Sequence, residues 1–340
     1  MNRGNKMKKG RLFLVLLTTL FLLFSLQTVL AQEKPNFAFV TNGVNDFWIL
    51  SQRGFEQAAK DFNVNVDYRT PPNGTAAEQT SIVEDLLAKK VDGIAITIID
   101  PDTLTPLLNE AAKKTLLITF DSDAPKSDRI CYIGTNNYSA GRTMGKLIKE
   151  AIPNGGKIMM QVGKLDVLNA VERRQGVIDE LKGLPVPEKY TVSPAGLVEC
   201  GAWTILDTRV DNVDYGKAKQ NAEDAIIKYP DIALFVGLWA YEGPMILSAL
   251  KDAGLEGKIL ICAHDELNDT LQGITDGYIY GTIVQDPYNF GYKSIEILNA
   301  LYKGDKSKVP ADGIIYIPER VISKDNVKPF WDDMKKKLGK

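Results

Sequence analysis

The chain has 340 residues, with 41 Lys and Arg against 43 Asp and Glu, and a formal net charge of −2. This length favours two domains, because a single hydrophobic core rarely grows beyond about 250–300 residues. The acidic balance argues against nucleic-acid binding, which needs a basic face that releases counterions from phosphates. His264 is the one histidine, so a metal site built on a histidine pair is excluded.

The first 31 residues have the features of a Sec-type secretory signal. Five basic residues and no acid precede an apolar segment at 12–26, and Val29-Leu30-Ala31 supplies small or short residues for cleavage. We predict cleavage after Ala31, which leaves a net charge of about −7. An uncleaved anchor helix is the less favoured alternative, because polar residues shorten the apolar segment below a membrane span.

The rest of the chain alternates short β-branched segments with amphipathic helices. Helical segments show apolar residues at three- and four-residue spacing, as at Ile82, Val83, Leu86 and Leu87. This alternation predicts an α/β fold, with parallel sheets that helices cover on both faces. The predicted strands are 36–41, 64–68, 93–98, 116–120, 130–134, 157–162, 233–237, 258–262 and 281–284.

The loop after the first predicted strand combines an amide, a carboxylate and two aromatic rings. These are Asn45, Asp46, Phe47 and Trp48. Loops at the carboxyl ends of parallel strands bind ligands in open α/β sheets. Amides and acids bond hydroxyl groups, and an aromatic face covers apolar C–H surface, so this loop suits a sugar. The alternative is that Phe47 and Trp48 are the first core-facing residues of the helix.

Polar or aromatic residues also follow five later strands. They are Asp121, Thr135-Asn136-Asn137, Trp239, His264-Asp265 and Gln285-Asp286. Each group alone is an ordinary cap or turn, but together they are expected to converge with the first loop on one ligand-binding edge. Arg173 adds a planar fork of five hydrogen-bond donors near a helix start.

The sequence lacks the motifs of common catalytic and cofactor sites. It has no Gly-x-Ser-x-Gly elbow, no phosphate-binding P-loop and no cysteines at metal-ligand spacing. We therefore predict no catalytic residue, no metal and no cofactor. The acid pairs Asp100/Asp102 and Asp211/Asp214 resemble glycosidase carboxylates, but helix caps and solvated turns are the favoured interpretation.

Three cysteines make an odd number for an exported protein. Cys131 and Cys262 lie in apolar, strand-like segments, which predicts buried free thiols. One disulfide remains an alternative, because spacing alone does not name a pair.

Several different short motifs follow one another along the chain in a recognisable order. They are Asn45-Asp46-Phe47-Trp48, Leu117-Ile-Thr-Phe-Asp121, Ile133-Gly-Thr-Asn-Asn137, Glu172-Arg173 with Gly176, Ala263-His-Asp265 and Thr282-Ile-Val-Gln285. Their order and spacing resemble the ribose-binding-protein-like branch of the type I periplasmic sugar-binding proteins, over nearly all of the mature chain. The resemblance implies two Rossmann-like doubly wound lobes, joined by a hinge of three crossings, with a sugar held between them.

The resemblance also implies where the lobes begin and end. The first lobe would comprise 36–135 with 286–308, and the second lobe 136–285 with 309–330, followed by a C-terminal tail at 331–340. The three crossings would fall near 135–137, near 285–286 and around 308–313.

Carried over position by position, the resemblance implies a set of cleft residues. The first lobe would supply Asn45, Phe47, Trp48 and Asp121, and the second lobe and hinge would supply Arg173, Asp265 and Gln285. Glu180, on the helix of Arg173, is expected to face solvent.

The chain departs from the family pattern at three positions. Ser122 replaces an arginine, Trp239 lies in a loop where ribose binders have Asn-Asp, and His264 replaces a stacking aromatic residue. These departures argue against ribose itself and make Trp239 a candidate replacement platform. His264 is a candidate pocket residue or an ordinary strand-end residue.

The resemblance predicts an exported, periplasmic and monomeric protein that delivers a monosaccharide or small saccharide to an ABC importer. Its partners would be the sugar and the membrane-bound permease, with no nucleic acid. One alternative is a sugar sensor that presents its closed form to a membrane receptor, and another is a secreted carbohydrate-active enzyme. Lac-repressor-type regulators contain similar domains, but this chain has an export signal where they carry a DNA-binding domain.

Overall fold

The computed structural model describes residues 33–44 and 47–340. The predicted signal peptide at 1–31 and the candidate site residue Asn45 therefore lie outside the described residues. Within the described ranges, no helix is long and apolar enough to cross a membrane.

Thirteen strands and ten helices are present in the described part of the chain. In chain order they are β1 Asn36–Val40, α1 Phe47–Phe62, β2 Asn65–Arg69, α2 Ala76–Ala88, β3 Gly93–Ile96, α3 Pro101–Ala112, β4 Leu116–Phe120, β5 Cys131–Gly134, α4 Asn137–Ala151, β6 Gly156–Val162, α5 Leu168–Leu181, β7 Val198–Cys200, β8 Trp203–Val210, α6 Tyr215–Lys228, β9 Ile232–Gly237, α7 Glu242–Asp252, β10 Leu260–His264, α8 Asn268–Asp276, β11 Gly281–Val284, α9 Pro287–Tyr302, β12 Ile314–Tyr316, β13 Arg320–Ser323 and α10 Val327–Lys337.

The strands form two sheets, one in each lobe. The first has the order β12-β5-β4-β3-β1-β2, and every neighbouring pair in it is parallel. The second has the order β13-β11-β10-β9-β6-β8-β7, with antiparallel pairing only at its two edges. Both sheets reverse their strand order beside their first strand, which is the doubly wound pattern. The predicted fold class is confirmed.

All nine strands predicted from the sequence are present, each within two residues of its expected ends. The prediction missed β7, β8, β12 and β13. Three of these are strands of three or four residues, too short for a periodic signal. In β8, which has eight residues, the charged side chains of Asp207 and Arg209 interrupt the apolar pattern.

The third crossing between the lobes differs from its expected position. Residues 314–316 pair with β5 in the sheet of the first lobe, in the register Ile314 to Tyr132. The assignment of these residues to the second lobe is therefore wrong, and the chain crosses at 317–319 rather than around 308–313. At this crossing Glu319 accepts hydrogen bonds from Ser139 (2.9 Å) and Thr143 (3.0 Å) of α4.

The C-terminal residues are also more ordered than the expected tail. Helix α10 continues through 331–337, and Met334 is buried in the same hydrophobic cluster as Leu50 of α1. The ammonium group of Lys337 lies 5.0 Å from the ring centre of Tyr288 in α9. Helix α10 therefore contacts helices of the first lobe as well as the second lobe that carries it.

In each lobe, one pair of helices packs unusually closely. The helix after the first strand of the sheet (α1 or α5) packs against the helix that follows a crossing between the lobes (α9 or α4). A methyl group added at Gly54 in α1 would lie 1.8 Å from the carbonyl oxygen of Tyr288 in α9. One added at Gly141 in α4 would lie 2.1 Å from the carbonyl oxygen of Arg173 in α5. Both approaches leave no room for a side chain, so glycine is needed at these positions. The contact at Gly141 ties the helix of Arg173 to the hinge.

The three cysteines are all buried and free. The prediction of free buried thiols at Cys131 and Cys262 is confirmed, and the disulfide alternative is wrong for this structure.

Candidate functional site

A cleft of about 1280 Å³ lies at the carboxyl ends of the strands of both sheets. Its walls are built mainly from the loops that follow β1, β3 and β4 in the first lobe and β6, β8, β9 and β10 in the second. Six residues predicted from the sequence line it: Phe47, Trp48, Asp121, Arg173, Trp239 and Asp265. His264 and Gln285 do not line the cleft.

Asp121 and Asp265 occupy equivalent places in the two lobes, directly after β4 and β10. Both have a left-handed backbone, with φ of 56° and 62°. Their amides donate equivalent hydrogen bonds to the next strand, at Ile133 (3.0 Å) and Ile283 (2.8 Å). Aspartate adopts this backbone conformation more readily than most residues. Each lobe thus presents one carboxylate to the cleft on a fixed backbone.

The carboxylate of Asp121 is harder to ionise than an exposed one. Burial raises its pKa to about 6, and the positive charge of Arg173 limits the rise. The Thr97 hydroxyl donates to Oδ2 at 3.0 Å and also favours the ionised form. Because this pKa still lies below neutral pH, Asp121 is ionised at pH 7 and accepts hydrogen bonds. Among the described residues, no cation lies within 4 Å of its carboxylate.

We expect Asp121→Asn to stabilise the ligand-free protein at pH 7.5 but not at pH 4. The folded state keeps a proton on Asp121 up to about pH 6, whereas the unfolded chain releases it near pH 4. The carboxylate therefore costs stability as pH rises through 6, and below about pH 4 this cost vanishes. Asparagine retains the left-handed backbone. Thermal unfolding at both pH values measures the difference, and an equal shift at both would contradict the assignment.

Arg173 is a buried cation held by neutral acceptors. Only 2% of its surface is exposed, and its Nε and Nη1 groups donate to Asn137 Oδ1 and to the Leu238 carbonyl, both at 2.9 Å. Within the described residues it has no carboxylate within 4 Å. A buried charge without a close counterion is costly, and this one lies in the lining of the cleft.

Two buried residues stand behind Asp265 rather than in the cleft. Gln285 donates to Asp265 Oδ1 at 2.9 Å, and His264 Nδ1 lies 3.3 Å from the same oxygen. Burial alone would raise the pKa of Asp265, but His264, Arg173 and the Gln285 hydrogen bond hold it below its ordinary value. Gln285 was expected to line the cleft, and the structure instead places it behind Asp265. Of the two alternatives for His264, the structure favours the strand-end residue, since His264 is the last residue of β10 and also lies behind the carboxylate that lines the cleft.

The two aromatic residues of the first loop have different environments. Trp48 is 2% exposed, donates from Nε1 to Asn42 Oδ1 at 3.0 Å and packs against Phe120 in the core. Phe47 is only half-buried and meets the Trp48 ring edge-on at 4.8 Å. Phe47 consequently supplies the accessible aromatic surface of this wall, and Trp48 supports it from the core.

Trp239 is the corresponding aromatic residue of the second lobe. Its indole nitrogen donates to Asn169 Oδ1 at 3.1 Å, and its ring lies so close to Gly163 that an added methyl group would be 2.0 Å away. Its amide donates to Glu242 Oε2 at 2.9 Å. Burial raises the pKa of Glu242 well above its ordinary value, against the hydrogen bond from the Trp239 amide. These contacts hold the half-buried Trp239 ring against the cleft wall.

The acid pairs that resembled catalytic carboxylates have structural roles. Asp100 caps α3 by accepting from the amides of Asp102 and Thr103, and Asp214 caps α6 by accepting from Lys217. The favoured interpretation of Asp100 and Asp214 as helix caps is confirmed.

Sequence comparison places the chain in a known family. Residues 37–306 match the periplasmic binding protein domain family. The chain belongs to this family. The ribose import binding protein RbsB of Salmonella typhimurium is 24% identical over 290 residues, which cover 83% of this chain and 90% of the relative. The D-galactose/methyl-galactoside binding periplasmic protein MglB of Haemophilus influenzae is 26% identical over 278 residues, or 74% of this chain and 78% of the relative.

Solved structures agree with the family assignment. GanP, a glucose-galactose binding protein from Geobacillus stearothermophilus, superimposes with a TM-score of 0.76 at 26% identity, covering 87% of this chain and 99% of GanP. A solute binding protein from Burkholderia graminis in complex with D-arabinose gives 0.76 at 28% identity, covering 86% of this chain and 96% of that one. The resemblance to type I periplasmic sugar-binding proteins is confirmed.

Sequence reasoning missed part of the cleft of this periplasmic binding protein. Lys164 and Asn169 follow β6, and Asn212 and Tyr215 follow β8. The residues after β8 were missed because that strand was not predicted. Lys164 could have been found, since it stands two residues after the end of a predicted strand, as Trp239 does.

Proposed function

We propose that this protein is an exported sugar-binding protein that delivers a monosaccharide or small saccharide to an ABC importer. The observation that carries the proposal is the grouping of Asp121, Arg173 and Asp265 beside the aromatic surfaces of Phe47 and Trp239. Carboxylates accept from sugar hydroxyls, and a guanidinium donates to sugar oxygens. Aromatic faces cover the apolar C–H surface of the ring.

The placement of these groups connects binding to closure. Asp121 belongs to the first lobe, and Arg173 and Asp265 belong to the second, so one ring that bonds all three draws the lobes together. A ligand favours the closed state to the extent that it makes more contacts there. The relatives support this role, because several carry names of sugar import or sugar binding for ribose, allose and galactose.

Export and partners form part of the same proposal. Residues 1–31 would direct the chain across the membrane and be removed after Ala31, and the closed monomer would dock on the permease. The relatives are binding proteins rather than enzymes, and we propose that the bound sugar leaves this cleft chemically unchanged.

A thermal-shift screen of residues 32–340 against pentoses, hexoses, deoxysugars and disaccharides tests the function. A sugar that binds only the native state raises its free energy of unfolding by about 2.7 kcal/mol at a concentration of 100 Kd. We expect one narrow group of sugars to raise the melting temperature by several degrees. The absence of a shift with every sugar would contradict sugar binding.

Closure gives a separate prediction. The cognate sugar should change tryptophan emission, because Trp239 lies in the cleft wall, and should reduce the radius of gyration in solution scattering. Trp239→Phe serves as the control, since it should abolish most of the emission change and leave the scattering change intact. Tight binding with an unchanged scattering profile would contradict the hinge model.

A further inference from the structure

A second pocket lies in the first lobe, at the edge of its sheet opposite the cleft. The carboxyl-terminal ends of α2, α3 and α9 enclose it together with the amino ends of β3 and β4, and we call it the base pocket. Its apolar walls are formed by Leu87, Val91, Ala112, Leu116, Leu301 and Tyr302.

The base pocket is separate from the cleft. Leu116 at the start of β4 lines the base pocket, whereas Asp121, directly after β4, lines the cleft. Five residues of strand at about 3.3 Å each separate these two positions by about 16 Å. Among the described residues, none lines both sites. A ligand of the base pocket would therefore not occupy the cleft.

The size and walls of the base pocket suit a small ligand with an apolar body. Its volume is about 790 Å³, within the range of about 300–1,000 Å³ that is usual for small-molecule sites with mainly apolar walls. The ring of Tyr302 is 38% exposed, and it meets the ring of Phe37 edge-on at 6.2 Å. This contact with the core holds an accessible aromatic surface at the end of α9.

Two lysines place positive charge beside these apolar walls. Lys90 comes directly after the C-cap of α2, and Lys114 comes directly after the C-cap of α3. Both side chains are exposed and both line the base pocket. Neither has a carboxylate within 4 Å among the described residues. Their ammonium groups are thus free to bind an anion.

The stabilisation of helix ends does not account for these two lysines. Lysines are common at the carboxyl-terminal ends of helices because they offset the helix dipole. Lys89 and Lys113 already have that place, as the C-caps of α2 and α3. They form ion pairs with Asp85 at 2.8 Å and with Glu110 at 2.7 Å. Lys90 and Lys114 add further positive charge, in a chain whose net charge is −2.

The other polar groups of the base pocket already bond within the first lobe. The Thr115 hydroxyl donates to the Val91 carbonyl at 2.7 Å. The Asp92 carboxylate accepts from the Asn36 amide at 2.8 Å. The pocket therefore presents two ammonium groups against one carboxylate, beside an apolar wall.

We propose that the base pocket binds a single-chain anionic amphiphile of the fatty-acid type. Its hydrocarbon chain would lie against the aliphatic wall and Tyr302, since burial of each methylene group favours binding. Its carboxylate would accept hydrogen bonds from Lys90 and Lys114. A neutral amphiphile would leave both ammonium groups unpaired, and a cationic one would be repelled. This site does not depend on the proposed sugar binding.

An NMR titration of residues 32–340 with three eight-carbon probes tests the site. The probes are octanoate, 1-octanol and octylammonium, which differ only in the charge and chemistry of the head group. A partly exposed ammonium–carboxylate pair contributes a factor of about three in affinity, so two pairs give about ten. We therefore expect octanoate to bind about tenfold more tightly than 1-octanol, and octylammonium to bind more weakly than 1-octanol.

Two double variants form a matched pair. Lys90→Ala with Lys114→Ala should weaken octanoate binding by about tenfold and abolish its advantage over 1-octanol. Lys89→Ala with Lys113→Ala removes the same charge from the same helix ends but at residues that do not line the pocket, and it should leave octanoate affinity within about twofold. Ala112→Trp fills the pocket and should abolish binding of all three probes, with the melting temperature as the check on folding.

Several results would overturn the proposal. The absence of octanoate binding, or equal affinities for octanoate and 1-octanol, would show that the pocket does not recognise an anionic amphiphile. Equal losses in the two double variants would show a general effect of surface charge. Octanoate binding that survives Ala112→Trp would place the amphiphile elsewhere on the protein. A dimer that Ala112→Trp dissociates would show that a second copy of the chain covers the pocket instead.

Discussion

Replacement of Arg173 by methionine should weaken binding of the cognate sugar by about ten- to several-hundred-fold. A charge-assisted hydrogen bond contributes about 1.5–3 kcal/mol, and each 1.4 kcal/mol corresponds to a factor of ten in Kd. The same change should leave the ligand-free melting temperature unchanged or raise it. Arg173 is a buried cation with no carboxylate within 4 Å among the described residues, so its replacement removes the cost of burying an uncompensated charge. We expect this gain to offset the loss of its two hydrogen bonds, to Asn137 and to the Leu238 carbonyl.

Calorimetry and thermal unfolding on the same preparations measure the two effects. Lys182→Ala is the control, because this exposed lysine lies at the end of the same helix, away from the cleft. Asp265→Asn is the companion variant, since asparagine keeps the left-handed backbone and the hydrogen bond from Gln285. It should weaken binding by about tenfold, because a neutral acceptor replaces a charged one. Wild-type affinity in both variants would refute the assignment of the sugar site, and a large loss of ligand-free stability would show that Arg173 has a structural role.

Gly141→Ala should reduce both stability and sugar affinity. The added methyl group would lie 2.1 Å from the backbone oxygen of Arg173, so α4 has to move away from α5. Overpacking of this kind costs about 1–3 kcal/mol or more, which corresponds to a fall of several degrees in melting temperature. Because the displaced helix carries Arg173, the affinity should fall as well.

Two glycine variants serve as controls for this prediction. Gly196→Ala should leave both quantities unchanged, since no atom lies within 4 Å of the added methyl group. Gly54→Ala introduces a comparable clash between α1 and α9 in the first lobe, and it should reduce stability without displacing Arg173. A wild-type melting temperature for Gly141→Ala would show that the α4–α5 contact is more adaptable than its geometry indicates.

Some expectations failed because they depended on contacts between residues far apart in sequence. Glu180 was expected to face solvent, but it is buried and paired with Arg142 (2.7 Å) and Lys149 (3.0 Å) of the neighbouring helix. The place of residues 314–316 was misjudged for a similar reason. A strand of three residues has no periodicity of its own, so its sheet is decided by the edge of β5 that it meets.

The sequence by itself determined the fold class and the positions of the nine principal strands. It also identified three residues that line the cleft, namely Asp121, Arg173 and Asp265. This was possible because strand and helix periodicity is local, and because parallel strands bring their carboxyl ends to one edge of a sheet. Only the tertiary structure decided which of these side chains are accessible. Phe47 rather than Trp48 supplies the exposed ring, and His264 stands behind Asp265, since burial depends on packing against distant strands and helices that no local pattern records.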